Sequence, residues 1–191
     1  MSDPLADLLV VPGILEGAEL PCFVGGSVAC SFFGEARSTL DVDIVVALLP
    51  EDAERMVRAF PPERFYVPPI DVIRREAQRG SAGSFNLVDQ TTFLKADIYP
   101  AGRDPLNAYG FTHAVWHEID GNRVRIAPPT YLCAMKLRWW AISQQDKHLR
   151  DIRGLLAISP ELIDRAVVEQ WAATSGTRAQ WADCQARAGE E

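Results

Sequence analysis

Phe23-Val24-Gly25-Gly26-Ser27 and, after thirteen intervening residues, Asp41-Val42-Asp43 are the two stretches on which the reading of this chain turns. Pro21–Val24 is a short apolar strand candidate that Gly25-Gly26 brings to an end. Ser27 then suits the N-cap of a helix running through Phe33, with Gly34 as its C′ stop. Leu40–Leu48 is rich in β-formers. In a strand, successive side chains point to opposite faces, so Asp41 and Asp43 share one face while Val42, Ile44 and Val46 point into a core. Two adjacent carboxylates without a cation raise each other's pKa, and a divalent ion with a preference for hard oxygen removes that penalty. By itself the Asp-x-Asp pair reads first as two exposed aspartates on the wet face of an edge strand.

Working outward, Lys95-Ala96-Asp97-Ile98-Tyr99 puts a third acid in the middle of a strand among apolar neighbours. An aspartate placed there needs a cation or hydrogen-bond partners. Lys95 precedes it by two and shares its face, either competing with a metal for Asp97 or meeting a phosphate oxygen. At the Gly-Gly-Ser turn, Gly25 and Gly26 allow backbone N–H groups to approach a phosphate, and Ser27 adds a donor at a helix N-terminus. A tight strand-to-helix connection explains the same glycines without any ligand.

The remaining pattern alternates strands and helices and then becomes helical. Residues 1–20 read as a short amphipathic lead-in broken at Pro12-Gly13. Pro50-Glu51-Asp52 opens a helix, another runs over 69–78, and Arg79–Ser84 is a turn. Phe85–Val88 and Phe93–Tyr99 pair around Asp89-Gln90, and His113–Ile119 and Arg123–Ile126 flank Asp120-Gly121, a hairpin signal. Helices are predicted over 130–143, 147–157, 160–173 (Ser159 as cap) and 175–188. The expected organisation is an α/β core over 1–127 and a C-terminal helical region over 128–191 packed on it, joined at Pro128-Pro129.

With 191 residues, 48% hydrophobic and 24% charged, the chain has the composition of an ordinary globular protein. A net charge of −7 excludes a general polyanion binder. The late basic residues Lys136, Arg138, Lys147, Arg150 and Arg153 read as a solvated helix face. Four dispersed cysteines with no C-x-x-C pair argue against structural zinc, and Cys22, Cys30 and Cys133 read as buried thiols in a reducing compartment. Leu8–Val11 is too short an apolar run for a signal sequence or a membrane span, so a cytoplasmic location with no membrane partner is expected. His113 and His117 fall on one side of a predicted strand with no carboxylate pattern beside them. Trp139-Trp140 reads as helix packing.

Strand, Gly-Gly-Ser, helix, strand with Asp-x-Asp and a later strand with a lone Asp: this order resembles the nucleotidyltransferase superfamily of the polymerase-β type. It is most similar to the minimal nucleotidyltransferases and the AbiEii-like toxins. Arg37-Ser38-Thr39-Leu40 before Asp41 belongs to the likeness. So does the helical stretch from Ala127-Pro128-Pro129-Thr130-Tyr131-Leu132 through Lys136-Leu137 to Lys147-His148-Leu149-Arg150-Asp151-Ile152, giving coverage of about residues 20–157.

The resemblance implies an α/β (α+β) fold, a mixed sheet flanked by helices with a helical C-terminal region. It makes Asp41, Asp43 and Asp97 the catalytic, metal-binding acids, with Asp97 also the activating base, and Gly25, Gly26 and Ser27 the triphosphate holders. Arg37 would reach a phosphate and Lys136 would neutralise one. Asp151 would act near the site or pair with Lys147. The implied cofactor is Mg²⁺ or Mn²⁺, the substrate an NTP, and the reaction transfer of an NMP to a hydroxyl on a protein, a tRNA end or a small molecule. A toxin–antitoxin or defence setting, with a cognate toxin or antitoxin as partner, goes with that likeness. The competing expectation is a non-catalytic module of the same fold that binds a nucleotide or a partner.

Overall fold

The computed structural model describes residues 8–35, 39, 41–119 and 121–188. The chain forms two compact units, one of residues 1–28 and 38–126, the other of residues 29–37 and 127–191. Among the described residues no helix is long and apolar enough to cross a membrane.

The first unit is built on a mixed sheet. Its strands are β1 (Cys22–Val24), β2 (Asp41–Val46), β3 (Phe65–Tyr66), β4 (Phe85–Asp89), β5 (Lys95–Pro100), β6 (Val115–Ile119) and β7 (Asn122–Ile126). They lie in the order β3-β4-β5-β2-β1-β7-β6. β2 runs parallel to β5 and β1 parallel to β7, while the remaining neighbours are antiparallel. This division follows connection length: the short β4–β5 and β6–β7 links make hairpins, whereas parallel neighbours need long crossovers. Period-two alternation is clear in β2, where Val42, Ile44 and Val46 are fully buried. The same holds in β5, where Ala96 and Ile98 are fully buried.

Helix α1 (Val10–Gly17) leads into β1, while α2 (Gly26–Phe33), which passes into the second unit after Val28, α3 (Ala53–Ala59), α4 (Ile70–Gln78) and α5 (Pro105–His113) lie between strands. The lead-in is not broken at Pro12-Gly13, because α1 runs through both. Pro12 falls in its first turn, where a missing N–H costs no intrahelical bond. The two-residue strand β3 and all of α5 carry no marked sequence periodicity and were not anticipated. α5 also changes the reading of the histidines: His113 ends that helix, stacked on Tyr109 with ring centroids 4.0 Å apart, while His117 lies on β6.

The second unit contains α6 (Pro129–Ser143), α7 (Lys147–Ile158), α8 (Arg165–Ser175) and α9 (Arg178–Arg187). Helix α8 starts later than its sequence suggests. Pro160–Leu162 forms a separate 3₁₀ turn, and the cap is Asp164, whose carboxylate accepts from the N–H groups of Ala166 and Val167. The expected cap, Ser159, instead donates its hydroxyl to the Phe33 carbonyl at 2.7 Å. Cys133 is fully buried near Cys30 and Cys184, and burial, reinforced by those neighbours, pushes its thiol well above the ordinary range. Such thiols pack as small hydrophobes and are inert.

The turn between β4 and β5 is held by one buried carboxylate. Asp89 accepts from Thr91 N–H and Oγ1, and from Arg64 Nε at 2.9 Å. Burial works to raise its pKa, but those donors outweigh it and hold the group below the usual carboxylate range. A depressed folded-state pKa contributes stability above the unfolded value that is lost as pH falls through the folded one. Asp89→Asn is therefore expected to cost about 1–3 kcal/mol at neutral pH. The deficit against wild type should shrink below pH ~4, as urea denaturation at both pH values would reveal; an equal deficit at acid pH would remove the assignment.

Candidate active site

The parallel register of β2 and β5 builds the site. Asp41 lies beside Lys95, and Asp43 beside Asp97. Paired residues share a face, so the three carboxylates and the ammonium occupy adjoining positions on one side of the sheet. Asn86 of β4 continues the Asp43–Asp97 row, and Val88 continues the Asp41–Lys95 row.

On the other flank, β1 runs directly into the glycine turn. Gly25 N–H donates to the Asp43 carbonyl at 2.9 Å, so this amide belongs to the sheet. Gly26 opens α2 at φ +56°, where side chains are disfavoured, and a Cβ built on it would lie 1.7 Å from Asp43 Oδ2. Only glycine leaves that carboxylate its position. Ser27 follows in the first turn of α2, where the leading N–H groups of a helix have no intrahelical acceptors.

Two hydroxyls orient the acids. Thr39 Oγ1 donates to Asp41 Oδ1 at 2.6 Å. Tyr99, two residues beyond Asp97 on the same face, hydrogen-bonds the Asp43 carboxylate; burial, then the charges of Asp43 and Asp97, hold its phenol above the ordinary range. Burial likewise raises the Asp97 pKa, opposed by the Lys95 ammonium and assisted by Asp43 and Asp41. Its Oδ1 is buried with no hydrogen-bond partner. A buried carboxylate oxygen left in that state is costly, and a cation or a hydroxyl donor would relieve it.

Among the described residues, no three His, Cys, Asp or Glu side chains form a cage for a metal by themselves. Mg²⁺ rarely uses such cages, being held by one or two carboxylates together with waters and substrate phosphates. The in-register carboxylates of Asp43 and Asp97, one oxygen of Asp97 being without a hydrogen-bond partner, are hard donors of the kind that suit a divalent cation whose remaining ligands are water and phosphate.

No family model and no curated protein matches this sequence. Solved structures do. A nucleotidyltransferase-like antigenic protein from Paracoccidioides brasiliensis aligns at TM-score 0.56 and 14% identity, over 97% of this chain and 93% of that one. The antibiotic-resistance factor ANT(2″)-Ia aligns at TM-score 0.52 and 16% identity, over 99% and 100%. Its complex with adenylyl-2″-tobramycin aligns at TM-score 0.51 and 13% identity, over 98% and 99%. The fold is that of the nucleotidyltransferases.

Within this nucleotidyltransferase fold, Gly25, Gly26, Ser27, Asp41, Asp43 and Asp97 all belong to the first unit. Lys136 and Asp151 belong to the second. There the Lys136 ammonium meets the Asp151 carboxylate at 2.5 Å with both side chains buried, so the lysine that meets Asp151 is on α6, where the sequence had offered Lys147. Arg37 lies outside the described residues. Sequence reasoning gave no role to Thr39 or Tyr99. Strand parity was the available signal for Tyr99, since it falls two residues after Asp97.

Gly26→Ala is expected to displace the Asp43 carboxylate and lower affinity for a Mg²⁺–NTP complex roughly 10²-fold while the circular dichroism spectrum is retained. Calorimetric titration of the wild type and variant would check this, and undiminished affinity would count against the site. For the second unit, Lys136→Met should destabilise by about 3–5 kcal/mol because it strands a buried carboxylate. Adding Asp151→Leu should recover most of that loss in urea denaturation; a double variant no more stable than the single would show that the pair is not the cause.

Proposed function

We propose that this chain is a divalent-metal-dependent nucleotidyltransferase, moving an NMP from an NTP to an acceptor hydroxyl with release of pyrophosphate. The observation that carries this is the in-register Asp43–Asp97 pair, set beside a glycine whose missing Cβ makes room for the Asp43 carboxylate. The fold neighbour solved with adenylyl-2″-tobramycin supports the reaction class.

In this reading Asp41 and Asp43 hold Mg²⁺, with Asp97 as the third acid. The ion, when bound, supplies Lewis-acid neutralisation of charge on the triphosphate. Ser27 and the start of α2 hold the triphosphate through N–H donors and the helix dipole. Thr39 and Tyr99 keep the Asp41 and Asp43 carboxylates aimed, so little reorganisation accompanies reaction. Asp97, in register with Asp43 and with an oxygen that has no hydrogen-bond partner, takes the acceptor proton. The acceptor oxygen bonds to the α-phosphorus, the bond to the α–β bridging oxygen breaks, and pyrophosphate carries away that electron pair.

The orphaned Asp97 oxygen also speaks against a purely binding role, which an asparagine or an apolar residue would serve with less desolvation. Asp43→Asn and Asp97→Asn should each lower NTP-dependent pyrophosphate release by roughly 10²–10⁴-fold without loss of the folded state. Release would be measured with each NTP and Mg²⁺ in the presence of cell lysate. Radiolabelled NTP in the same reaction identifies whether a protein, an RNA end or a small molecule is the acceptor, a cognate toxin or antitoxin included. Full release by Asp43→Asn would end the proposal.

A further inference from the structure

The two flanks of the carboxylate row are chemically unlike. The glycine turn and the start of α2 stand on the β1 side of Asp43. Asp97, the base of the proposed reaction, stands on the β5 side, with β4 beyond it, so the acceptor side of the row is taken to be over β5 and β4. The β4–β5 hairpin turns at the same end of the sheet, since Lys95, the first residue of β5, lies beside Asp41.

That turn presents Phe93 in an unusual state. Its backbone is left-handed, at φ +60°, which a bulky side chain adopts only against strain. The ring gains nothing from burial in return, being 80% exposed. The loop is not loose: besides the Asp89 network, Phe93 N–H donates to the Asp89 carbonyl at 2.7 Å and Asp89 N–H to the Leu94 carbonyl at 3.0 Å. A hairpin tip so firmly built, holding an aromatic ring in water at an energetic cost, marks a contact for something outside the chain.

Two further side chains extend the surface. Tyr66, 53% exposed, is aligned through Val88 with Lys95, which places it on the carboxylate face about 10 Å from Lys95 at two strand spacings. Lys95 is exposed and acts electrostatically on Asp97. From Gln90 to Lys95 the sequence contains no acid, and Asp89 is fully buried. Exposed Glu63 lies on the segment held against the turn by the hydrogen bonds from Gln90 to the Pro62 and Arg64 carbonyls, so this approach offers exposed rings, a cation and that one acid. A polycationic amino sugar needs the opposite, carboxylates other than those that serve the metal.

Resting on the proposed function, we infer that the acceptor is a nucleotide, its base packed against Phe93 and Tyr66 and its phosphate met by Lys95. Bases stack on aromatic side chains irrespective of sequence, and a neighbouring cation handles the backbone charge. The net charge of −7 sets the size of the acceptor: one nucleotide unit, not a long strand.

The test measures binding of nucleoside monophosphates, of a short single strand ending in the same nucleotide, and of tobramycin. Each is titrated into protein saturated with a non-hydrolysable NTP analogue and Mg²⁺, and into protein alone. Phe93→Gly is the decisive variant, because glycine accepts the left-handed backbone and keeps the hairpin. Its thermal midpoint should equal or exceed that of wild type, its affinity for the NTP analogue should be unchanged, and its affinity for the nucleotide acceptor should fall on the order of tenfold. Tyr66→Ala should behave alike in acceptor binding. Wild type should bind the strand within about tenfold of the mononucleotide and bind tobramycin more weakly than either. Acceptor binding unaltered by Phe93→Gly, or tobramycin as the tighter ligand, overturns the inference. A strand bound far more tightly than the mononucleotide, with steep salt dependence, overturns its size. Failure to bind the NTP analogue overturns the parent reading instead, and leaves the effect of Phe93→Gly on acceptor binding legible by itself.

Discussion

The parallel pairing of β2 with β5 is the constraint on which the site depends. Asp41 and Asp43 are neighbours in sequence, and any β-strand would put them on one face. Asp97 comes fifty-four positions after Asp43 and joins them only because the two strands align without offset. A slip of one residue would turn Asp97 into the apolar layer now filled by Ala96 and Ile98, at a cost in buried polar and exposed apolar groups. The hydrophobic pattern that stabilises the sheet thus also fixes the geometry of the acids.

That dependence explains which parts were legible in the sequence. Strands with clean alternation, β2 and β5 above all, were readable because half their side chains must be apolar. The glycine turn was readable because few residues permit its backbone. The two-residue β3 has no period to detect, and α5 (Pro-Leu-Asn-Ala-Tyr-Gly-Phe-Thr-His) mixes polar and apolar residues without a consistent face. Its burial is set by tertiary neighbours such as Phe23, whose ring meets Phe111 edge-on at 4.9 Å. Ser159 and Asp164 show the same limit for caps. Both residue types suit the position, and the choice fell to Asp164 once the Ser159 hydroxyl found the Phe33 carbonyl.

Among the acids, sequence gave the positions but not their supports. A tyrosine at a strand end, as Tyr99 is, looks ordinary in sequence until the partner strand brings the Asp43 carboxylate within reach of its hydroxyl. Lys136 and Asp151 illustrate the converse. The sequence offered Lys136 a phosphate, and Asp151 either a place near the site or an ion pair with Lys147; the structure brings Lys136 and Asp151 together as a buried pair in the helical unit.

Two left-handed residues border the carboxylates, and they differ in a telling way. Gly26 occupies a backbone conformation suited to glycine, and the space its side chain would fill belongs to Asp43. Phe93 occupies the same region of backbone space with a large ring and no local return in burial. Replacing it with glycine or asparagine would ease the hairpin by simple sterics. A sequence shaped by stability alone would carry one of those residues at this turn. The phenyl ring therefore has a reason that lies outside the folded chain, and its place in the hairpin at the end of the sheet where Lys95 lies beside Asp41 makes the incoming acceptor the economical explanation.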